Sequence, residues 1–260
     1  MIAAQRRALI LERVRQQGGA AIVDLADVVG VSASTVRRDL DYLMREGYLE
    51  RRHGGALLAE PERTTFEPRQ DIGAHMARSA KVAIGRRAAA LLEPGQSVLF
   101  DSSSTVLEAA RAIAGAGLRL TACTNDLGIA MALTAADCAR ILVLGGSVRP
   151  GSLTLTGDPG QSFLDHLHAD VALVGIHSLA RGRLSETAIE VVAIKRRMIE
   201  SAARVVVLAD SSKFSHPAFC DVCELNRISM VVTDSGIAGD ARALLEEQGV
   251  ALAIAEPVAE

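Results

Sequence analysis

Ser32, Ser34, Thr35, Arg37 and Arg38 crowd into one short run near the start of the chain, and hydroxyls beside guanidiniums are groups that grip a polyanion. A guanidinium forks onto two phosphate or base-edge acceptors at once, while hydroxyls donate to phosphate oxygens. Arg51, Arg52 and His53 follow as a second cationic group, closed by Gly54-Gly55. A different chemistry lies at Asp101-Ser102-Ser103-Ser104-Thr105, where four hydroxyls stand between an apolar run and a helical one. Amides at a helix start point toward an anion and the helix dipole favours negative charge there, so this loop can cradle a phosphate. An ionised Asp101 does not meet phosphate directly; it suits accepting a hydrogen bond from a sugar hydroxyl, or arranging the loop. An ordinary capped strand-to-helix turn is the plainer alternative.

The first group needs a helix to present it. Gly30 can take the left-handed conformation that stops one helix, and the Ser32 side chain can cap the next. Val36, Leu40 and Leu43 then repeat at helical spacing and predict an inner face, with Ser34, Arg37, Arg38 and Asp41 toward solvent. Asp39 is read as structural, orienting the two arginines, pairing with Arg38 alone, or facing water. Upstream, Ile22, Leu25, Ala26 and Val29 predict a short packing helix. An earlier helix from about Gln5 to Gln17, with Leu9, Ile10 and Val14 inward, supplies the third wall. Beyond Leu43, Gly47 stops the helix, and a short strand leads to the Arg51-Arg52-His53 group and its glycine turn, the pattern of a wing. In a helix-turn-helix the second helix enters the major groove.

Val31-Ser32, Thr35, Arg37-Arg38-Asp39-Leu40, Gly47 and Arg52-His53-Gly54-Gly55-Ala56 together resemble the DeoR family of bacterial transcription regulators. The resemblance implies that the recognition helix and wing contact DNA, with Ser32, Ser34, Thr35, Arg37, Arg38, Arg51, Arg52 and His53 as the DNA-binding set.

The rest of the chain alternates strand-like and helix-like runs. Val98 to Phe100 precedes Thr105 to Ala114; Arg119 to Cys123 precedes Leu127 to Leu133; Arg140 to Leu144 follows. Val171 to Val174, Val191 to Ser201, Val205 to Leu208, Met230 to Thr233, Ala241 to Glu247 and Val250 to Ile254 continue the rhythm, predicting a mainly parallel α/β sheet covered by helices. In such sheets ligands collect beyond the C-terminal strand ends. Those ends carry Asp101 to Thr105, then Thr124-Asn125, Gly145-Gly146 and Asp210-Ser211-Ser212-Lys213. Taken singly, the glycines read as a turn, Asn125 as a cap and Lys213 as solvated; repetition at successive strand ends favours a site. Gly175-Ile176-His177-Ser178 and Gly182-Arg183-Leu184-Ser185-Glu186 suggest a further wall, with His177, Arg183 and Glu186 reading hydroxyls or charge. Lys195-Arg196-Arg197 reads as a solvated helix face in preference to a second nucleic-acid patch, although Lys195 can also face an effector.

These positions extend the DeoR resemblance across almost the whole chain. It implies a second domain that senses sugar phosphates on a fold similar to ribose-phosphate isomerase and glucosamine-phosphate deaminase. The chain departs from it where the family often has Asp-Ser-Gly-Thr-Thr, reading Asp101-Ser102-Ser103-Ser104-Thr105 instead. The implied effector set is Asp101, Ser102, Ser103, Ser104, Thr105, Thr124, Asn125, Gly145, Gly146, His177, Glu186 and Lys213.

The 260 residues carry net charge −3, unevenly spread: through Ala56 nine arginines face seven acidic residues, while the remainder is net −5. Local cations and counterion release decide phosphate binding, so an acidic body permits DNA contact. From residue 58 to 73 the hydrophobic rhythm lapses around Pro61 and Pro68, predicting a linker between a winged helix-turn-helix domain at 1–57 and an α/β sensor domain at 74–260; Phe66 is its aromatic anchor, able to dock one domain on the other. Cys220 and Cys223 form a single C-x-x-C pair, and with Cys123 and Cys138 they read as ordinary thiols, with no metal and no cofactor. The longest apolar runs are strand-sized and the N-terminus lacks a signal-peptide core, so the expectation is cytoplasmic, without a membrane.

The expected function is a DNA-binding transcriptional regulator, a repressor of a carbohydrate-use operon, with double-stranded operator DNA and a phosphorylated sugar or related metabolite as partners. A homodimer or homotetramer is expected, since paired heads gain affinity and spacing information. The alternative is a sugar-phosphate isomerase or deaminase with an added DNA-binding domain. A constitutive DNA-binding scaffold is the third reading.

Overall fold

A computed structural model describes residues 1–52, 55–59, 64–67, 69–135 and 139–256. It divides into two compact units, Met1–Arg78 and Ser79–Glu260.

The first unit, the head, is built from α1 (Ala3–Gln17), β1 (Ala20–Ala21), α2 (Ile22–Val29), α3 (Ala33–Arg45), β2 (Leu49–Arg52), β3 (Gly55–Leu58) and α4 (Gln70–Gly73). The strands form one antiparallel sheet in the order β1-β3-β2, with Ala20 opposite Ala56 and Leu49 opposite Leu58. Ile10, Leu11 and Val14 of α1, Leu25 and Val29 of α2, and Val36, Leu40 and Leu43 of α3 close the core. Leu9, expected inward, is exposed: Ile10 and Val14 lie one turn apart on the buried face, and Leu9 is rotated about 100° from Ile10. Gly30 takes φ 66°, a left-handed residue that ends α2 and turns the chain into α3.

The polar rhythm of 58–73 predicts a connection, yet the part of it that is described folds onto the head. The Tyr48 and Phe66 rings meet edge-to-face at 5.2 Å, the Arg69 amide donates to Tyr48 Oη at 2.7 Å, and Ile72 on α4 is wholly buried in the head's core. Phe66 thus anchors on Tyr48 of its own unit. Two apolar residues suffice to draw a polar stretch onto a small core that needs every wall it can find.

The second unit runs α5 (Arg78–Ala89), β4 (Ser97–Phe100), α6 (Ser104–Gly115), β5 (Leu120–Thr124), α7 (Leu127–Thr134), β6 (Ala139–Val143), β7 (Ser147–Val148), β8 (Leu155–Thr156), α8 (Gly160–Leu164), β9 (Ala169–Gly175), β10 (Ser178–Ala180), β11 (Arg183–Glu186), α9 (Ile189–Glu200), β12 (Ala202–Leu208), β13 (Cys220–Glu224), β14 (Met230–Asp234), α10 (Gly239–Glu247) and β15 (Ala251–Ala255). Seven strands pair in the order β15-β14-β12-β9-β4-β5-β6, every neighbouring pair parallel.

Alternate side chains of these strands enter cores on opposite faces, which is why the strands read as unbroken apolar runs. Val171, Leu173, Val206 and Leu208 pack with Ile84 of α5, Val106 and Ile113 of α6, and Ile129 and Leu133 of α7. Ala172, Val174, Val205 and Val207 pack instead with Val192, Ile194 and Met198 of α9 and Leu164 of α8. Leu179, Leu184 and Val222 bring the small antiparallel sheet β10-β11-β13 onto this second core. The chain leaves β4 toward β5 and β6 on one side, and returns to β9, β12, β14 and β15 on the other. The crevice where strand order reverses therefore lies between β4 and β9.

Among the described residues no helix is long and apolar enough to cross a membrane, and no group of three His, Cys, Asp or Glu side chains stands close enough to hold a metal ion. Cys220 and Cys223 are free thiols, and Cys138 lies outside the described residues.

Candidate DNA interface and effector site

In the head, Ser32 caps α3: its Oγ accepts the Thr35 amide at 3.3 Å and lies 2.9 Å from Ser34 Oγ and 3.0 Å from Thr35 Oγ1. A cluster of hydroxyls thus stands at the dipole-positive end of the helix. Ser34, Arg37 and Arg38 are exposed along the same helix, opposite the buried Val36, Leu40 and Leu43. Arg51 on β2 is also exposed and pairs with Asp41 of α3 at 2.9 Å. At this exposure the pair contributes little to stability, about 0–1 kcal/mol. Arg52 ends β2, and His53 lies outside the described residues.

Asp39 holds neither Arg37 nor Arg38. It is buried, and its two oxygens accept Arg6 Nε at 2.5 Å and Arg7 Nε at 2.9 Å, both from α1. Arg7 also lies over the Tyr42 ring, 3.6 Å from its centroid. The reason is angular: Asp39 is one residue before Leu40 and one turn from Val36, on the side of α3 that meets α1. The clamp fixes α3 against α1 from behind and leaves both arginines of the outer face uncommitted to it.

In the second unit the expected residues arrive at adjoining strand ends. Asp101 follows β4 and is completely buried; its amide donates to Leu173 O, and its Oδ2 accepts the Gly175 amide at 3.0 Å at the end of β9. Ser102 donates its amide to Asn125 Oδ1 at 3.1 Å, and Asn125 Nδ2 donates to Leu155 O at 3.2 Å. Thr124 Oγ1 donates to Phe100 O, tying the end of β5 to that of β4. Ser103 caps α6 by accepting the Thr105 amide at 3.2 Å, with Ser104 beside it half-buried and Thr105 buried. Gly175 permits this arrangement, because a Cβ there would stand 2.2 Å from Ser103 Oγ.

Gly145 and Gly146 lie past β6, two strands from β4, and pack backbone to backbone on the segment 156–160; a Cβ on Gly146 would stand 2.5 Å from Thr156 O. Their close approach is to the chain itself. Lys213 closes a short turn after β12, next to β9 in the sheet. Burial would push the Asp210 carboxyl up, but Lys213, then the Ser212 hydroxyl and Lys81 outweigh it and hold it below its ordinary value. His177 donates its backbone amide to Glu186 Oε1 at 3.1 Å.

Of the two places the sequence offers Lys195, the solvated face is overturned. The lysine ammonium is buried, 2.6 Å from Gly175 O, 2.5 Å from Glu186 Oε1 and 3.1 Å from Asp101 Oδ2. Burial alone would push Lys195 down, yet the two carboxylates outweigh it and raise it. Burial raises Asp101 above the usual carboxylate range, with Lys195 opposing. Asp101 Oδ1 has no hydrogen-bond partner. The missed signal is positional, for Val191, Ile194 and Met198 place Lys195 inside the apolar stripe of α9. Its neighbours are committed as well: Arg196 donates to the Val222 and Asp221 carbonyls, and Arg197 pairs with Asp165. Lys81 on α5 and Asp210 were also outside the expected site set; both are buried.

Residues 6–62 match the model of the DeoR-like helix-turn-helix domain, and residues 76–235 that of the DeoR C terminal sensor domain. The chain is 32% identical to HTH-type transcriptional regulator GlpR of Haloferax volcanii, covering 96% of this chain and 97% of that protein. It is 30% identical to HTH-type transcriptional repressor GlcR of Bacillus subtilis, covering 97% and 96%, and 30% identical to the glycerol-3-phosphate regulon repressor of Escherichia coli, covering 89% and 90%. These names are those of regulators, not enzymes. Among solved structures, ribose 5-phosphate isomerase A of Methanocaldococcus jannaschii aligns over 52% of this chain and 53% of its own at 16% identity, with a TM-score of 0.39. Matched in both units and along nearly its whole length by named regulators, the chain belongs to the DeoR family and is a DNA-binding transcriptional regulator.

Proposed function

We propose that this chain represses a carbohydrate-use operon, holding operator DNA through its head and releasing it when a phosphorylated sugar or related metabolite enters the second unit. Ser34, Arg37 and Arg38 on α3 meet base edges and phosphates in the major groove, with Ser32 and Thr35 at the helix start and Arg51, Arg52 and His53 on the wing. The observation that carries this is the division of α3 into two faces, one buried on the head's core and clamped through Asp39, the other presenting free-standing guanidiniums beside a hydroxyl-rich helix start.

The effector lies across the C-terminal ends of β12, β9, β4, β5 and β6, where Ser102, Ser103, Ser104 and Thr105 hold the phosphate, and Asp101, Thr124, Asn125, Gly145, Gly146, His177, Glu186 and Lys213 complete the walls. The supporting observation is that the hydroxyl-rich loop opens α6 at the reversal of strand order. Effector and operator oppose one another, and by linkage each weakens the other by the same factor. A homodimer or homotetramer pairs two heads on one operator. A panel of sugar phosphates tested for release of bound operator, with turnover measured for each hit, tests the reading. Release without product supports it; turnover of a hit, or no release by any member, contradicts it.

A further inference from the structure

Asp101, Lys195 and Glu186 form a buried network that joins four elements: the end of β4, the end of β9 through the Gly175 amide and carbonyl, the end of β11, and α9. One ammonium faces two carboxylates, so when all three groups are ionised the network carries net charge −1. A buried charge is ordinarily balanced and a buried acceptor ordinarily filled. Here Asp101 Oδ1 is filled by nothing, although Asp101 is completely buried. The unpaired oxygen belongs to the residue immediately before the hydroxyl loop, at the reversal of strand order.

We propose that Asp101 Oδ1 reads a hydroxyl on the sugar portion of the effector, and that Lys195 is the positioning residue that fixes this acceptor at the end of β4. The proposal rests on the effector site described above and assigns its parts. A second anion is repelled by the network, so the phosphate sits on the amides and hydroxyls of 102–105, and what reaches Asp101 is an uncharged donor. The acceptor is covered rather than open. The Ser103 side chain rests on Gly175, whose added Cβ would stand 2.2 Å from Ser103 Oγ and 3.7 Å from Asp101 Oδ2. The ligand class is therefore a phosphate ester with a free hydroxyl near the ester, and not phosphate alone.

Calorimetric titration of the full chain with inorganic phosphate and with a panel of hexose 6-phosphates and pentose 5-phosphates tests this, comparing wild type with Asp101→Asn and Lys195→Met. The expected result is that each variant binds the best sugar phosphate at least ~10-fold more weakly, while inorganic phosphate changes by less than ~2-fold, as a lost buried hydrogen bond to a charged acceptor requires. Sugar-phosphate affinity left at the wild-type value in Asp101→Asn overturns the proposal. So does an equal loss for both probes, which is what general damage to the unit would give. Should a single variant fail to fold, the pair Asp101→Asn with Lys195→Met removes both facing charges, and the same ratio decides. Wild type that binds no member of the panel overturns the effector site itself, and this proposal with it; that outcome is distinct from a variant behaving as wild type.

Discussion

Arg37 and Arg38 carry the sharpest consequence at the scale of single residues. Each is exposed on a helix whose opposite face is buried, so truncation removes a contact to DNA without opening the core. Arg37→Ala or Arg38→Ala is expected to weaken operator binding by roughly 1 to 3 kcal/mol where the guanidinium reads a base, with the unfolding transition unchanged. Quantitative band shifts beside thermal melts check it, and wild-type affinity in both variants contradicts the assignment. Asp39 behaves in the opposite way. Asp39→Ala strands Arg6 and Arg7, which lie against α3 and are mostly buried, at a cost of about 3–5 kcal/mol for breaking a buried pair. The head's melting temperature is the readout, and a melt like wild type shows the clamp to be idle. These neighbours in sequence differ because one residue of rotation along α3 separates a face that sees water from a face that sees α1. The sequence pattern carried that distinction for Arg37 and Arg38. For Asp39 it did not, because its partners stand 32 and 33 residues away.

At the scale of elements, α3 depends on its two ends. Ser32→Ala removes the Oγ that accepts the Thr35 amide and is expected to cost about 1 kcal/mol of head stability. Restoration by Ser32→Asp, another capping side chain, and not by a second apolar residue, distinguishes capping from packing. Most long elements of both units were legible because their apolar spacing is strong, and the runs at 98–100, 171–174, 205–208 and 230–233 all fall inside observed strands; α5, whose buried face is largely Ala83, Gly85 and Ala88, was not expected. The short ones were not. Strands β7 and β8 have two residues each and β10 has three, too few to show a period, even though β7 pairs with β8 and β10 with β11 only a few residues on. Distance in sequence hid the buried Asp101–Lys195–Glu186 network. The loop at 101–105 announces itself by its hydroxyls, whereas Lys195 and Glu186 become partners only when β11 and α9 fold back on β9, and a lysine followed by two arginines reads as a solvated face until its place in the apolar stripe of α9 is weighed.

For the whole molecule, the two units carry two chemistries: guanidiniums and helix-start hydroxyls in Met1–Arg78, and a buried Asp101 carboxylate beside a hydroxyl-rich loop in Ser79–Glu260. The account requires that the first confer preference for a particular duplex. Protein–DNA recognition of this kind separates specific from non-specific affinity by roughly 10³ to 10⁷-fold at physiological salt. The decisive measurement is selection of duplexes from a random pool by the purified full chain, followed by competition of the enriched sequence against its scrambled counterpart at fixed salt. The account predicts a preference of at least ~10³-fold that collapses when Arg37 and Arg38 are both replaced by Ala; a chain that enriches no sequence, or binds the enriched and scrambled duplexes alike, contradicts it.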